Sequence, residues 1–298
     1  MKSGKFLLII ILNVSLTTIA VSQQISNELY QYNFFYINPA FAGMQGQNFS
    51  LMLNTRHYQN GSSIFEGSFS YDTKFKKINS GFGFIGSSAT LGSISQNNLS
   101  LNYSYHVKLR ELSSIKFGVR IENQRQSMDF SQYRPVDPVD PLLNTSGGAY
   151  SSNLSSSLGI LVNVRDFYFG FSIDNLIRSN NQIPAISFYQ EKPKPLNNLI
   201  LGYDFKIGSW GKLMPSFYLP FDFDKVYKAD LNSTLLINNK FITGVTLEIN
   251  SQELIPKVNV GYRLNDFIQM TTVLYSKQRE NTPDLKFRGT LAVQFYFN

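Results

Sequence analysis

The 298-residue chain has 27 lysines and arginines against 20 aspartates and glutamates, and its mean hydropathy is −0.14. This hydropathy is too low for a bundle of membrane helices, and the lack of cysteine excludes a disulfide-stabilised scaffold. Charged residues make up 16% of the chain and form no basic block, so the net charge of +7 does not indicate a nucleic-acid partner.

Residues 1–22 have the pattern of a secretory signal peptide. Lys2 and Lys5 precede an apolar run at 6–12, and small residues at 20–22 follow it. A membrane anchor is the alternative, but the run is far shorter than the roughly 20 residues that a membrane-spanning helix needs. We therefore expect cleavage before Gln23 and export of the mature chain.

The next segment, 23–47, is rich in aromatic residues and too apolar for a free tail. Pro39 fixes its own backbone and extends Asn38 before it, while Gly43 permits a close turn. We expect this segment to be buried, either as a plug inside the fold that follows or along the periplasmic mouth of that fold. A docking surface for a partner protein is the alternative. The candidate residues are Tyr32, Phe34, Phe35, Tyr36, Asn38, Pro39, Phe41 and Gly43.

From residue 48 onward, segments of about ten residues alternate between apolar and polar side chains. The last is the clearest, with Leu291 and Val293 on one face and Thr290 and Gln294 on the other. Because successive side chains of a strand point to opposite faces, one face suits lipid and the other suits water. The pattern predicts fourteen strands, at 48–58, 62–73, 81–89, 97–109, 114–126, 151–164, 166–176, 197–208, 211–221, 226–238, 240–250, 254–263, 267–276 and 284–297.

Such strands must close on themselves in a membrane, because each unpaired backbone group in hydrocarbon costs several kcal/mol. The predicted number is even, and tight turns alternate with longer connections, of which 127–150 and 177–196 are the longest. A soluble β-sandwich also alternates, but its strands usually have only about five to six residues. Residues 48–298 are therefore predicted to form an all-β, transmembrane, antiparallel up-and-down barrel of about 14 strands, in contact with outer-membrane lipid.

Several motifs resemble a known family. The stretch 37–43 (INPAFAG), which follows an aromatic run, resembles the opening signature of the PorP/SprF family of Bacteroidota. The segments 53–58 (LNTRHY), 70–75 (SYDTKF) and 213–216 (LMPS) are similar to later segments of that family. Together these motifs span almost the whole mature chain.

The resemblance implies an outer-membrane protein of the type IX secretion and gliding system, with no catalytic activity. It implies that the protein binds, exports or anchors a secreted, adhesin-like surface protein through the C-terminal signal domain of that protein. Periplasmic components of the secretion machinery are further expected partners. The alternative is an outer-membrane channel for a small hydrophobic compound, of the FadL type, which the chain resembles in strand count only.

Two patterns that could indicate chemistry favour a structural role. The glycines at 81–86 match the spacing of a dinucleotide-binding motif, but they alternate with apolar residues in a strand and no helix pattern follows. His106 and Ser104 share the polar face of one strand, where a hydrogen-bond network is favoured over a catalytic dyad. His57 lies far away in the sequence, and no residues have metal-ligand spacing. We therefore expect a non-enzymatic protein without cofactor, metal or nucleic acid.

Overall fold

The computed structural model describes residues 30–57, 63–129, 149–177, 194–251, 253–277 and 286–297. The predicted signal peptide with its cleavage site, residues 23–29 and most of the two longest predicted loops lie outside these ranges. Among the described residues, no helix has the length and apolar character that crossing a membrane requires.

Within the described ranges, fifteen strand segments form one closed antiparallel sheet. They are β1 (Gln47–His57), β2 (Ser63–Phe75), β3 (Ser80–Leu91), β4 (Ile94–Arg110), β5 (Ser113–Met128), β6 (Ala149–Val164), β7 (Phe167–Asp174), β8 (Leu196–Tyr203), β9 (Phe205–Ile207), β10 (Gly211–Phe221), β11 (Ala229–Ile237), β12 (Phe241–Ile249), β13 (Leu254–Arg263), β14 (Ile268–Lys277) and β15 (Lys286–Phe297).

The barrel has fourteen strands, because β8 and β9 occupy one place in the wall. Only Asp204 separates these two segments, and both pair with β10. Each strand pairs with its neighbour along the chain, and β15 pairs with β1, from Gln47 opposite Phe297 to Thr55 opposite Gly289. This last ladder closes the barrel, so the predicted fold class is confirmed.

The alternation of side chains separates a lipid-facing surface from the lumen. On β4, Leu99 and Leu101 are 56% and 67% exposed, whereas Ser100 and Asn102 between and beside them are buried. On β15, Leu291 is exposed and Gln294 is buried, as the sequence predicts. The outer surface is therefore apolar, as lipid requires, and the inner surface is polar.

The connections differ between the two ends of the barrel. One end carries only short ones, at 76–79, 111–112, 165–166, 208–210, 238–240 and 264–267, while the other carries 129–148 and 175–195. Because bacterial barrels have short periplasmic turns, the first end is periplasmic, and β15 also ends there. Asn79, Asn238 and Asn239 have positive φ in these turns, a conformation that asparagine tolerates better than most residues.

Candidate functional site

Residues 30–46, here called the lead-in, lie inside the barrel. They form three short 3₁₀ helices, Tyr30–Tyr32, Phe34–Tyr36 and Pro39–Phe41, before β1 begins. The side chain of Asn33 accepts a hydrogen bond from the Phe35 amide, and that of Asn38 accepts one from the Ala40 amide. Each asparagine therefore satisfies an amide at the start of a helical turn that has no partner within the turn.

The lead-in packs against both sides of the lumen. Residues 30, 35, 37 and 40–42 form one apolar cluster with wall residues of β3, β6, β7, β8 and β10. Tyr32 belongs to a second cluster with residues of β1, β12, β13, β14 and β15. Because these two sets of strands lie on opposite sides of the barrel, the lead-in crosses the lumen from wall to wall.

Hydrogen bonds from the wall hold the lead-in backbone. The Arg120 guanidinium donates to the Phe35 carbonyl at 2.6 Å, to the Tyr36 carbonyl at 3.0 Å and to Asn102 Oδ1 at 2.7 Å. Further polar partners of the lead-in come from β1, β2, β4, β7, β11, β12 and β15, and they are Ser50, Ser70, Asp72, Ser104, Ser172, Asn232, Thr246 and Gln294. The lead-in is thus hydrogen-bonded to strands on several sides of the lumen.

Glycines on the lumen face leave room for this segment. A Cβ on Gly83 would lie 2.6 Å from the ring of Phe35, and at Gly81, Gly118 and Gly159 it would overlap lead-in atoms. The overlapping atoms belong to Ala42, to Ala40 with Pro39, and to Asn38, respectively. Gly81 and Gly83, part of the stretch with dinucleotide-binding spacing, therefore lie in a strand and admit the lead-in.

The structure brings all eight predicted candidates together in the lumen. Tyr32, Phe35, Asn38, Pro39, Phe41 and Gly43 are buried, and Phe34 and Tyr36 are partly buried. Arg120 and the lumen-facing glycines of β5, β6 and β7 were not among the residues predicted from the sequence. The alternation of side chains along these strands could have identified them, because it places all of them on the lumen face.

Ser104 and His106 anchor the lead-in as well. Ser104 Oγ donates to the Ala42 carbonyl at 2.8 Å, and His106 Nε2 lies 2.8 Å from Ser104 Oγ. His106 Nε2 also lies 3.2 Å from the Ala42 carbonyl, so both side chains of this pair contact the lead-in backbone. His106 Nδ1 has no hydrogen-bond partner among the described residues, which also contain no group of three or more His, Cys, Asp or Glu that could hold a metal.

Charged residues cover the lead-in on its outer side. Lys228 Nζ lies 2.9 Å from Asp230 and 3.2 Å from Glu248, and Lys257 Nζ lies 2.7 Å from Glu248. The Lys228 ammonium also lies 5.8 Å from the ring of Tyr30. These ion pairs neutralise the carboxylates of Asp230 and Glu248, which the barrel buries at the outer side of the lead-in.

The outer connection 222–228 is ordered by Asp222 and presents apolar side chains. Asp222 accepts hydrogen bonds from the Tyr227 hydroxyl and from the amides of Asp224 and Lys225. Burial alone would raise the pKa of Asp222, but these hydrogen bonds outweigh burial and hold the pKa below its usual value. Phe223 in this connection is 87% exposed, and Val226 is also exposed.

Solved outer-membrane barrels are similar to this chain in fold. The Ralstonia pickettii toluene transporter TbuX has 10% identity and a TM-score of 0.53, and the match covers 89% of this chain and 93% of the transporter. The Acinetobacter baumannii outer membrane protein Omp33 has 8% identity and a TM-score of 0.51, with coverage of 86% and 100%. At these identities the similarity shows the fold alone.

The sequence comparisons are more specific. No curated protein sequence matches the chain significantly. A family model described as the type IX secretion system membrane protein PorP/SprF matches residues 20–293, which is nearly the whole chain. With the closed barrel, this match places the protein in the outer membrane. The chain belongs to the PorP/SprF family of type IX secretion system membrane proteins.

Proposed function

We propose that this protein is a non-enzymatic outer-membrane partner of type IX secretion. In this proposal it binds a secreted surface protein through that protein's C-terminal signal domain, and this binding serves export or anchoring. The observation that carries the proposal is the lead-in, which crosses the lumen and bonds to strands on several sides of it. Because the lead-in occupies the lumen, the rims and connections of the barrel are the surfaces left for binding a partner.

Apolar side chains at the outer end support a docking role. Phe223 and Val226 lie between β10 and β11, and Ile177 follows β7 and is 69% exposed. An ion pair of 3.1 Å between Lys194 and Asp224 links the connection before β8 to the connection that carries Phe223. Exposed aromatic side chains give large contact areas and are enriched in binding hot spots.

A channel for hydrophobic compounds is the second candidate. TbuX is a toluene transporter, and TodX, of which a mutant matches with a TM-score of 0.50, is a monoaromatic hydrocarbon channel. A channel needs a continuous path, and here the lead-in stands in the lumen. The described strands also pair with neighbours all the way around the wall, with the β8–β10 ladder interrupted at residues 203–204. This closed pairing disfavours a wide lateral exit.

Purification from the native outer membrane tests the docking proposal. We expect one large secreted protein with a C-terminal signal domain to co-purify with the tagged barrel in mild detergent. The double variant Phe223→Asp/Val226→Asp should retain about tenfold less of it, because truncating hot-spot contacts costs about 1–2 kcal/mol or more.

The matched control is Leu112→Asp/Leu264→Asp, which makes the same change at exposed positions in periplasmic turns. This control should retain the partner as well as the wild type does. If no secreted protein co-purifies, or if both double variants lose it equally, the proposal fails.

A further inference from the structure

Positive charge is concentrated at the periplasmic end of the barrel. The turns there and the strand residues within four positions of them carry eleven cations but five carboxylates. The cations are Lys74, Lys76, Lys77, Lys108, Arg110, Lys116, Arg165, Lys206, Lys212, Lys240 and Arg263, and the acids are Asp72, Glu111, Asp166, Asp204 and Asp266. This end therefore carries a strong positive field, which acts over about 8 Å at physiological salt.

Part of this charge lies on the lumen side of the wall. Lys74, Lys108, Lys116 and Lys206 occupy the positions on their strands that alternate in step with the buried, lumen-facing residues. In the part of the chain that the structure describes, none of these four lysines forms an ion pair. The wall separates them from the lipid head groups, so a soluble anion is the partner that fits them.

A cleft with both apolar and polar side chains opens near the same end of the barrel, and Lys212 is among its lining residues. It lies on the periplasmic underside of the lead-in, has a volume of about 210 Å³, and is lined in part by Tyr32, Phe34, Met44 and Met214. Its two carboxylates are already engaged. Asp72 accepts a hydrogen bond from the Gly43 amide at 2.7 Å, and Asp204 pairs with Lys212 at 2.7 Å.

We propose that the periplasmic mouth binds an acidic peptide segment of a periplasmic protein, with one aromatic or large aliphatic side chain inserted into the cleft. The carboxylates would pair with the lumen-side lysines, and the inserted side chain would add apolar burial beneath the lead-in. Opposite charges would steer the segment to the mouth, and the cleft would fix its position. This second partner is separate from the secreted protein, which is proposed to dock at the outer end.

Peptide binding to the full chain in phosphatidylcholine nanodiscs tests this inference. The probe is a fluorescent ten-residue peptide with six acidic residues around one phenylalanine. We expect saturable binding that weakens as salt is raised from about 0.05 to about 0.3 M, because paired charges are screened. Replacing the phenylalanine with serine should weaken binding about tenfold through lost burial, and a lysine version should not bind.

Charge reversals locate the site. Lys74→Glu/Lys108→Glu/Lys206→Glu changes the lumen side, and its matched control, Lys76→Glu/Lys77→Glu/Lys240→Glu, makes the same charge change in the turns. The lumen-side triple should raise the peptide Kd about tenfold, and the turn triple less than about threefold. Heat-modifiable migration in both triples shows that the barrel still assembles.

Three results would overturn the inference. The first is equal binding of the acidic and basic peptides, and the second is equal loss of binding in the two triples. The third is that the peptide does not bind, whereas vesicles of phosphatidylglycerol bind the wild type and do not bind the turn triple. This third result would mean that the positive charge serves to bind lipid head groups. Peptide binding should persist in Phe223→Asp/Val226→Asp, so failure here is distinct from failure at the outer end.

Discussion

Gly118 and Gly159 determine how closely the lead-in can approach the wall. Both face the lumen, and a methyl group at either position would overlap atoms of Asn38, Pro39 or Ala40. The neighbouring Arg120 donates to two carbonyls of the same segment. The side chains on the lumen face are therefore complementary in shape to the lead-in, whereas those on the lipid face need only be apolar.

Gly118→Val should displace the lead-in while the barrel still assembles. The new side chain meets backbone atoms of Pro39 and Ala40, which cannot move aside without the whole segment, and overpacking of this kind costs about 1–3 kcal/mol. Chymotrypsin, which cleaves after aromatic residues, should then cut the lead-in faster. At Gly67 the nearest atom to an added Cβ is Leu53 Cδ2 at 3.6 Å, so Gly67→Val is the control. Equal resistance of the two variants would contradict a closely fitted lead-in.

Leu101→Arg should impair assembly, because a cation would face lipid near the middle of β4. The expected cost is about 2–4 kcal/mol at the bilayer midplane. Asn98→Arg, on the lumen face of the same strand, is the control and should cost far less. Folding yield and urea midpoints in lipid vesicles measure both, and equal damage would show that the assignment of the two faces is wrong.

The lead-in is stabilised mainly by the barrel wall that surrounds it. Its 3₁₀ helices are three residues each, too short to persist alone, and their carbonyls rely on wall donors such as Arg120 and Ser172. A donor lost from the wall therefore leaves buried carbonyls without partners, and each such group costs about 1–3 kcal/mol.

Arg120→Leu should loosen the lead-in more than any loss of surface charge does. It removes the donors to Phe35, Tyr36 and Asn102, so we expect a loss of at least about 3 kcal/mol from lead-in stability. Amide hydrogen exchange of residues 34–41 should rise. Arg125→Leu removes an exposed guanidinium from the same strand, 5.1 Å from the Tyr150 ring, and should leave that exchange unchanged. The same exchange in both variants would contradict this role of Arg120.

The strands were predictable because each carries its own alternation of side chains. The observed bounds lie within three residues of the predicted ones throughout. The break at Asp204 was not predicted, because this residue continues the lumen-facing pattern and gives no local signal.

The aromatic composition of 23–47 predicted burial, but the choice between plug, periplasmic mouth and docking surface depends on contacts such as Gln294 with Tyr32, which are 262 residues apart. Such pairings leave no periodic trace in a single sequence.

The whole molecule has two different ends joined by an occupied lumen. The outer end carries apolar side chains such as Phe223 and the longer connections, and the periplasmic end carries the four lumen-side lysines that form no ion pair with a described residue. Only about eight strands fill solid with side chains, so a fourteen-strand wall by itself would enclose an aqueous passage. We therefore propose that the lead-in seals the barrel and that the protein works by binding other proteins at its two ends.

Planar-bilayer recording of the purified protein tests whether the lead-in seals the lumen. The wild type should show no steady ionic conductance. Deletion of residues 23–46 should leave a heat-modifiable barrel that conducts steadily, because the lumen loses the segment that fills it. Steady conductance of the wild type, or saturable uptake of a small aromatic compound into vesicles that contain it, would contradict the sealed barrel and favour the channel.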